Sequence, residues 1–181
     1  MTLSLIQKRR SIRKFLKTPV EPEKIAVLIE AALRAPSSRG LKPWEFVVID
    51  KAGILEKLAN SKPYGSAFLK NAVLGIVICA DPKRCDVWIE DSSIAATYIQ
   101  LTAQSLGLGS CWVQIRERMC DSTRTAEESV RDVLEIPEHL RVDSLIAIGY
   151  PAEDLPAHSQ DELQYEKVYY NRYGEKAKNA K

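Results

Sequence analysis

The sequence predicts an α/β domain, and three observations carry that reading. Four short apolar runs, at 44–49, 73–80, 110–115 and 142–149, are separated by stretches with helical spacing, the pattern of a parallel sheet covered by helices. Residues 91–106 form a helix with no charged side chain from Ser92 to Ser105, so it is expected to be buried all round. Composition fits one core: 181 residues with 45% hydrophobic and 28% charged positions, enough chain to bury about 70% of its unfolded surface without staples.

The chain opens with a short helix over residues 3–9, apolar at Leu3, Leu5 and Ile6. It runs into Arg9-Arg10-Ser11-Ile12-Arg13-Lys14-Phe15, where Ile12 and Phe15 anchor a segment carrying four cations and a hydroxyl. Guanidinium forks beside a hydroxyl suit a cluster of phosphate oxygens. Taken alone, the same run also fits a solvated charge cluster at a helix end.

Pro22 stands at a first helical position, and Ile25, Leu28, Ile29, Ala32 and Leu33 follow at helical spacing. That helix stops near Arg34, because Ala35 precedes Pro36. A polar loop over 36–43 leads to the first strand, then to an amphipathic helix at 51–60 and a loop at 61–66. The run at 73–80 is apolar throughout and reads as a strand buried on both faces.

Asp91, Ser92 and Ser93 are expected to cap the central helix, with Gly107 and Gly109 both supplying positive φ at its end. Its alanines let neighbouring backbones come close, so this core is one that two subunits could share. Thr125-Ala126-Glu127-Glu128 is a capping box opening a further helix that ends at Ile136-Pro137. From Ala152 onward the chain is polar but carries Tyr165, Val168, Tyr169, Tyr170 and Tyr173. Such a tail is expected to wrap over a surface, its own or a partner's. No repeat or linker divides the chain, so one domain spanning 1–181 is expected.

Charge and composition exclude several classes. A net charge of +2 and the lack of a second basic stripe speak against nucleic acid. No apolar run approaches the ~20 residues that span a bilayer, and no signal peptide is present, so a cytoplasmic protein without a membrane partner is expected. Cys79, Cys85, Cys111 and Cys120 follow no metal-ligand spacing and read as reduced thiols. With only His139 and His158, neither a metal site nor a Cys–His nucleophile is expected. There is also no glycine-rich dinucleotide fingerprint after the first strand.

Four motifs in this order resemble the nitroreductase-like flavoproteins: the Arg-Arg-Ser-Ile-Arg-Lys-Phe segment; Ala35-Pro36-Ser37-Ser38 leading to Pro43-Trp44-Glu45-Phe46; the helix ending Leu106-Gly107-Leu108-Gly109-Ser110-Cys111-Trp112-Val113; and Gly149-Tyr150-Pro151-Ala152-Glu153. The resemblance covers about residues 5–174. It implies an α+β fold in place of the parallel α/β one: a mixed central β-sheet flanked by helices, with a domain-swapped C-terminal tail in a homodimer. It further implies two FMN sites at the subunit interface and NAD(P)H as co-substrate.

By the same resemblance Arg9, Arg10, Ser11 and Arg13 would hold the FMN phosphate and ribityl chain. Pro36, Ser37 and Ser38 would come from the partner subunit against the flavin ring. Trp112, Val113, Gln114 and Ile115 would line one face of the ring, with a backbone N–H near N5. The chain departs from the family in three places. Gly40 and Lys42 stand where the family often has Asn and Gln, so an Asn contact is lost at Gly40 while Lys42 could meet the flavin's polar edge. Gln114 and Ile115 replace glycine found in many members. His158 and Gln160 stand where a basic pair is expected to complete the phosphate clamp.

The reading that results is an FMN-dependent NAD(P)H oxidoreductase. Hydride would pass through flavin N5, in a ping-pong cycle, to a small-molecule electron acceptor such as a nitroaromatic or quinone. No protein acid or base with a dominant role is expected, since the flavin carries the chemistry. The alternative is an FMN storage or sensor protein, motivated by a bulky Gln114 and Ile115 floor that would exclude nicotinamide.

Overall fold

A computed structural model describes residues 2–176. Five helices, α1 (Thr2–Lys8), α2 (Pro22–Leu33), α3 (Ala52–Ala59), α4 (Trp88–Ser105) and α5 (Ala126–Leu134), surround four strands. The strands are β1 (Trp44–Ile49), β2 (Leu74–Ala80), β3 (Gly109–Gln114) and β4 (Arg141–Gly149), in the order β1-β2-β4-β3.

Every pair of neighbouring strands is antiparallel, which corrects the parallel sheet expected from the alternation of elements. Helix length explains it. Returning to the same end of a sheet whose strands run about 20 Å takes a helix of some 13 residues. Helix α3 has 8 residues and α5 has 9, too short to make that return. Helix α4, with 18, does make it, and the strands it joins, β2 and β3, run the same way on either side of β4. The parallel component of the sheet is a one-residue bridge between Ser11 and Ser110.

The sheet divides the interior in two. On one face Val77, Val113, Leu145 and Ala147 pack with Leu55 and Leu58 of α3 and Val130 of α5. On the other, Leu74, Ile76, Ile78, Ile146 and Ile148 pack with Leu28 of α2 and Ala96, Ile99 and Ala103 of α4. The capping box forms as expected: Glu128 N–H donates to Thr125 Oγ1 at 3.1 Å, and Thr125 N–H to Glu128 Oε2 at 2.7 Å. Pro22 opens α2.

The central helix differs from expectation in three ways. It begins at Trp88, so Asp91, Ser92 and Ser93 lie inside it and cap nothing. Asp91 N–H instead closes the first turn on Val87 C=O at 3.1 Å. Second, the helix is buried along one face only: Ile94 and Tyr98 keep 37% and 40% of their surface in the single chain. Third, only Gly107 takes a positive φ, of 74°. Gly109 is needed for another reason, a close approach described below.

The C-terminal stretch has no core of its own. Two short 3-10 turns, Gln160–Glu162 and Tyr165–Lys167, punctuate it, and Tyr165, Val168, Tyr170 and Tyr173 are exposed.

Candidate functional site

The basic segment is fixed to the sheet by its apolar anchors. Ile12 and Phe15 are buried, Ile12 N–H donates to Ser110 C=O at 3.0 Å, and Phe15 bridges to Pro151. Gly109 and Gly149 are register partners on β3 and β4 and form the seat for these anchors. A methyl on Gly109 would lie 2.8 Å from Ile12 Cβ, and one on Gly149 would lie 3.1 Å from Phe15 Cδ1. From the other side Glu153 Oε1 accepts Arg13 N–H at 2.7 Å and Lys14 N–H at 3.2 Å, and these donors hold its carboxyl below the usual range.

With the backbone held, the polar side chains converge on β3. The Cys111 thiol, pushed up by burial, feels the opposite pull of Arg13, Arg9 and the Ser11 hydroxyl. The Arg13 guanidinium lies 5.9 Å from the centre of the Phe68 ring. Arg10 turns the other way and donates to Pro156 C=O of the tail.

Strand β3 is an edge strand, and its outer side is the floor of the site. In an antiparallel pair each residue sends both backbone groups to the same side. The Ser110 carbonyl meets Ile12 outside the sheet, so Trp112 and Gln114 also present N–H and C=O outward. Val113 and Ile115 face inward: both side chains are fully buried, and Ile115 N–H goes to Asp143 C=O at 3.3 Å. Only Trp112 and Gln114 of the four expected floor residues are thus open to a ligand.

The Gln114 side chain does not roof this edge. Its Oε1 accepts the Trp112 indole N–H at 2.9 Å and its Nε2 donates to Arg116 C=O at 3.0 Å, folding the amide back along the strand. The bulk expected from Gln114 and Ile115 is therefore stowed, one in a local hydrogen-bond pair and the other in the core.

Lys62 was not singled out from the sequence, yet it reaches this edge. Its Nζ donates to Gln114 C=O at 2.9 Å, and burial, then the charge of Arg118, press its pKa below the usual lysine range. The loop presenting it is tied by Ser66 Oγ, which bonds to Ala59 C=O at 2.8 Å and to Lys62 C=O at 3.1 Å. The one available signal was that Lys62 is the sole cation in the 61–66 loop.

The remaining expected residues lie elsewhere in the chain. The loop holding Pro36, Ser37, Ser38, Gly40 and Lys42 enters β1 at the sheet end marked by Trp44 and Ala80. The basic segment sits at the opposite end, beside Gly109 and Gly149, and three strands across. At about 4.8 Å per strand and 3.3 Å per residue, three strands across and seven or eight residues along put the two about 27–30 Å apart. His158 lies in the exposed tail with Nδ1 2.5 Å from Glu162 Oε2, which holds the Glu162 carboxyl below its usual range. Gln160 opens the following 3-10 turn.

A flat, partly apolar group carrying a phosphate fits the β3 edge. Phe68 and Trp112 supply apolar walls, Gln114 N–H a donor, Arg13 and Lys62 cations, and Arg9 and Ser11 a phosphate-type cluster at one end.

Comparisons with known proteins identify the fold and the family. The family model described as the nitroreductase family matches residues 6–62 and 55–150. An FMN-dependent nitroreductase from Clostridium difficile R20291 superposes with a TM-score of 0.93 at 48% identity, over 94% of this chain and 99% of that one. An Archaeoglobus fulgidus protein, named provisionally as an NADH dehydrogenase/NAD(P)H nitroreductase, is 35% identical over 88% of this chain and 91% of its own length. A Vibrio harveyi NADPH:FMN oxidoreductase, solved in complex with NAD+, has a TM-score of 0.80 at 25% identity, over 96% of this chain and 78% of that one. With the family model covering most of its length, the chain belongs to the nitroreductase family.

Proposed function

We propose that the chain is an FMN-dependent NAD(P)H oxidoreductase that works as a homodimer with a flavin on the β3 edge of each subunit. Membership of the nitroreductase family makes it an oxidoreductase. The observation carrying the reading is the outward edge of β3, where Arg13, Ser11, Lys62 and the Gln114 backbone meet along an open strand. Bound FMN would supply the redox centre, taking a hydride from NAD(P)H and passing electrons in a ping-pong cycle to a nitroaromatic, quinone or similar acceptor.

The chain's own residues bind and orient. Arg9 would hold the phosphate, and Ser11 and Arg13 the ribityl chain and the near ring edge, while Arg10 stays turned to Pro156 C=O of the tail. Gln114 N–H stands at the ring's hydrogen-bonding edge, and Lys62 sets positive charge beside it, favouring an electron-rich ring. With Val113 and Ile115 turned into the core, their part is to hold the strand flat.

Exposed apolar surface supports the same reading. The uncharged face of α4 with Ile94 and Tyr98, together with the exposed tail aromatics, is apolar surface suited to a second copy of the chain. The distance of the loop carrying Ser37 and Ser38 from its own chain's basic segment supports a role for it at the partner's flavin. One domain spanning 1–181 and a cytoplasmic setting complete the proposal. The storage alternative loses its motive once the Gln114 amide is folded back onto Trp112.

The test is anaerobic. FMN-loaded protein is mixed with NADPH or NADH, and flavin absorbance near 450 nm is followed on the order of seconds, then again after a quinone is added. Bleaching and recovery are expected; a flavin that neither donor bleaches would refute the assignment.

A further inference from the structure

The loop between α2 and β1 holds a backbone that its sequence does not favour. Arg39, Gly40 and Lys42 have φ of 53°, 67° and 47°, and two of these are not glycine. Such a conformation persists only where the surroundings enforce it.

One buried anchor of this loop is Asp91. Its carboxylate is 2% exposed and sits in the first turn of α4, where the free N–H groups of the helix favour a negative charge. Oδ1 accepts Ser38 N–H at 2.8 Å, and Oδ2 accepts the buried Cys85 thiol at 3.4 Å. Above this anchor Ser37 Oγ takes Lys42 N–H at 3.0 Å, and Arg39 pairs with Asp86. The loop is thus riveted at Ser38 to the same helix whose open face carries Ile94 and Tyr98.

We infer that Asp91 is a positioning residue for the flavin of the opposite subunit. It touches no flavin. It fixes Ser37 and Ser38 relative to α4, so that docking two α4 helices brings each loop to the partner's site in one register. This rests on the reading above, in which residues 36–38 meet the partner's ring.

Asp91→Ala removes the acceptor, whereas Asp91→Asn keeps an oxygen of the same reach. Losing a charge-assisted hydrogen bond implies that Asp91→Ala weakens FMN and riboflavin alike by about tenfold or more, with Asp91→Asn within about threefold of wild type. An unchanged riboflavin affinity in Asp91→Ala overturns the inference.

Differently tagged chains then separate action across the interface from loss of stability. A mixed dimer joins one Arg9→Ala chain to one Asp91→Ala chain. If Asp91 acts across the interface, both lesions fall on one site, and FMN titration shows the other site binding with wild-type affinity. If Asp91 acts within its own chain or only on folding, each site carries a lesion and none titrates as wild type; that result overturns the inference. The flavin reading itself is judged by the Arg9→Ala homodimer. Unaltered FMN binding there defeats that reading and this inference together, whereas lost FMN binding with two impaired sites in the mixed dimer defeats only the role of Asp91.

Discussion

Replacing Gly109 by alanine tests whether the basic segment is held by steric fit. The added methyl would meet Ile12 Cβ at 2.8 Å and both Cγ atoms at 2.9 Å, all far inside the 3.4 Å at which ordinary contact begins. Relief requires Ile12 to retreat by roughly 0.6–1.2 Å, since carbon pairs settle at about 3.5–4.0 Å. Ile12 cannot retreat alone, because its N–H is bonded to Ser110 C=O at 3.0 Å. Overpacking costs about 1–3 kcal/mol and a weakened hydrogen bond about 1 more, so Gly109→Ala should lose about 2–4 kcal/mol. Gly53, inside α3 with nothing near its missing side chain, provides the control. There alanine should gain roughly 0.5–1 kcal/mol from helix propensity. Urea denaturation of both variants gives the two signs, and FMN titration of Gly109→Ala should show weaker binding as Arg9 and Ser11 move. A Gly109→Ala protein as stable as wild type, with unchanged FMN affinity, would show that the segment is not seated as described.

Three further outcomes follow from the site and its surroundings. Arg9→Ala should cost about 1.5–3 kcal/mol of FMN affinity and leave riboflavin, which has no phosphate, unaffected; Arg13→Ala should weaken both ligands, and equal losses for Arg9→Ala would remove it from the phosphate cluster. Asp143 is raised above the usual aspartate range by burial, with Ser144 and Arg116 opposing, and its Oδ2 has no hydrogen-bond partner. A carboxyl with a raised folded pKa loses stability as pH climbs from the unfolded value, near 3.9, through the raised one. Asp143→Asn should therefore match wild type near pH 3.5 and exceed it at about pH 7 in denaturation midpoint, and a variant weaker at both pH values would contradict the assigned cost of burying this charge. Tyr98→Glu, placing a charge on the open face of α4, should yield monomers in sedimentation and release flavin; an intact dimer would move the interface elsewhere.

Much of the fold could be read locally. The capping box at Thr125, the proline start of α2 and the apolar strand runs are determined by neighbours within four residues, and the structure has them within a residue or so. Strand direction was not legible, since alternation of elements is silent on whether a helix is long enough to cross the sheet. The start of α4 was misplaced because Asp91 looks like a cap in sequence, while its carboxylate is spent on Ser38, 53 positions away. The basic segment stood out through its anchors, Ile12 and Phe15. Lys62 did not, because its meaning depends on β3, which lies about fifty residues further along and meets it only after folding. Likewise the inward turn of Val113 and Ile115 is decided by which edge of β3 is free, a property of the whole sheet.

The brevity of α3 and α5 bears on how the chain finds its fold. Each short helix belongs to a return that closes an antiparallel pair, β1 with β2 and β3 with β4, from nearby sequence. The middle of the sheet is different. Val77 of β2 lies beside Leu145 of β4, about 70 residues away, so that seam needs the whole α4 crossover to be in place. This topology predicts that two half-sheets assemble early and zip together last. Mutations in the seam, such as Ile146→Val, should speed unfolding far more than they slow folding.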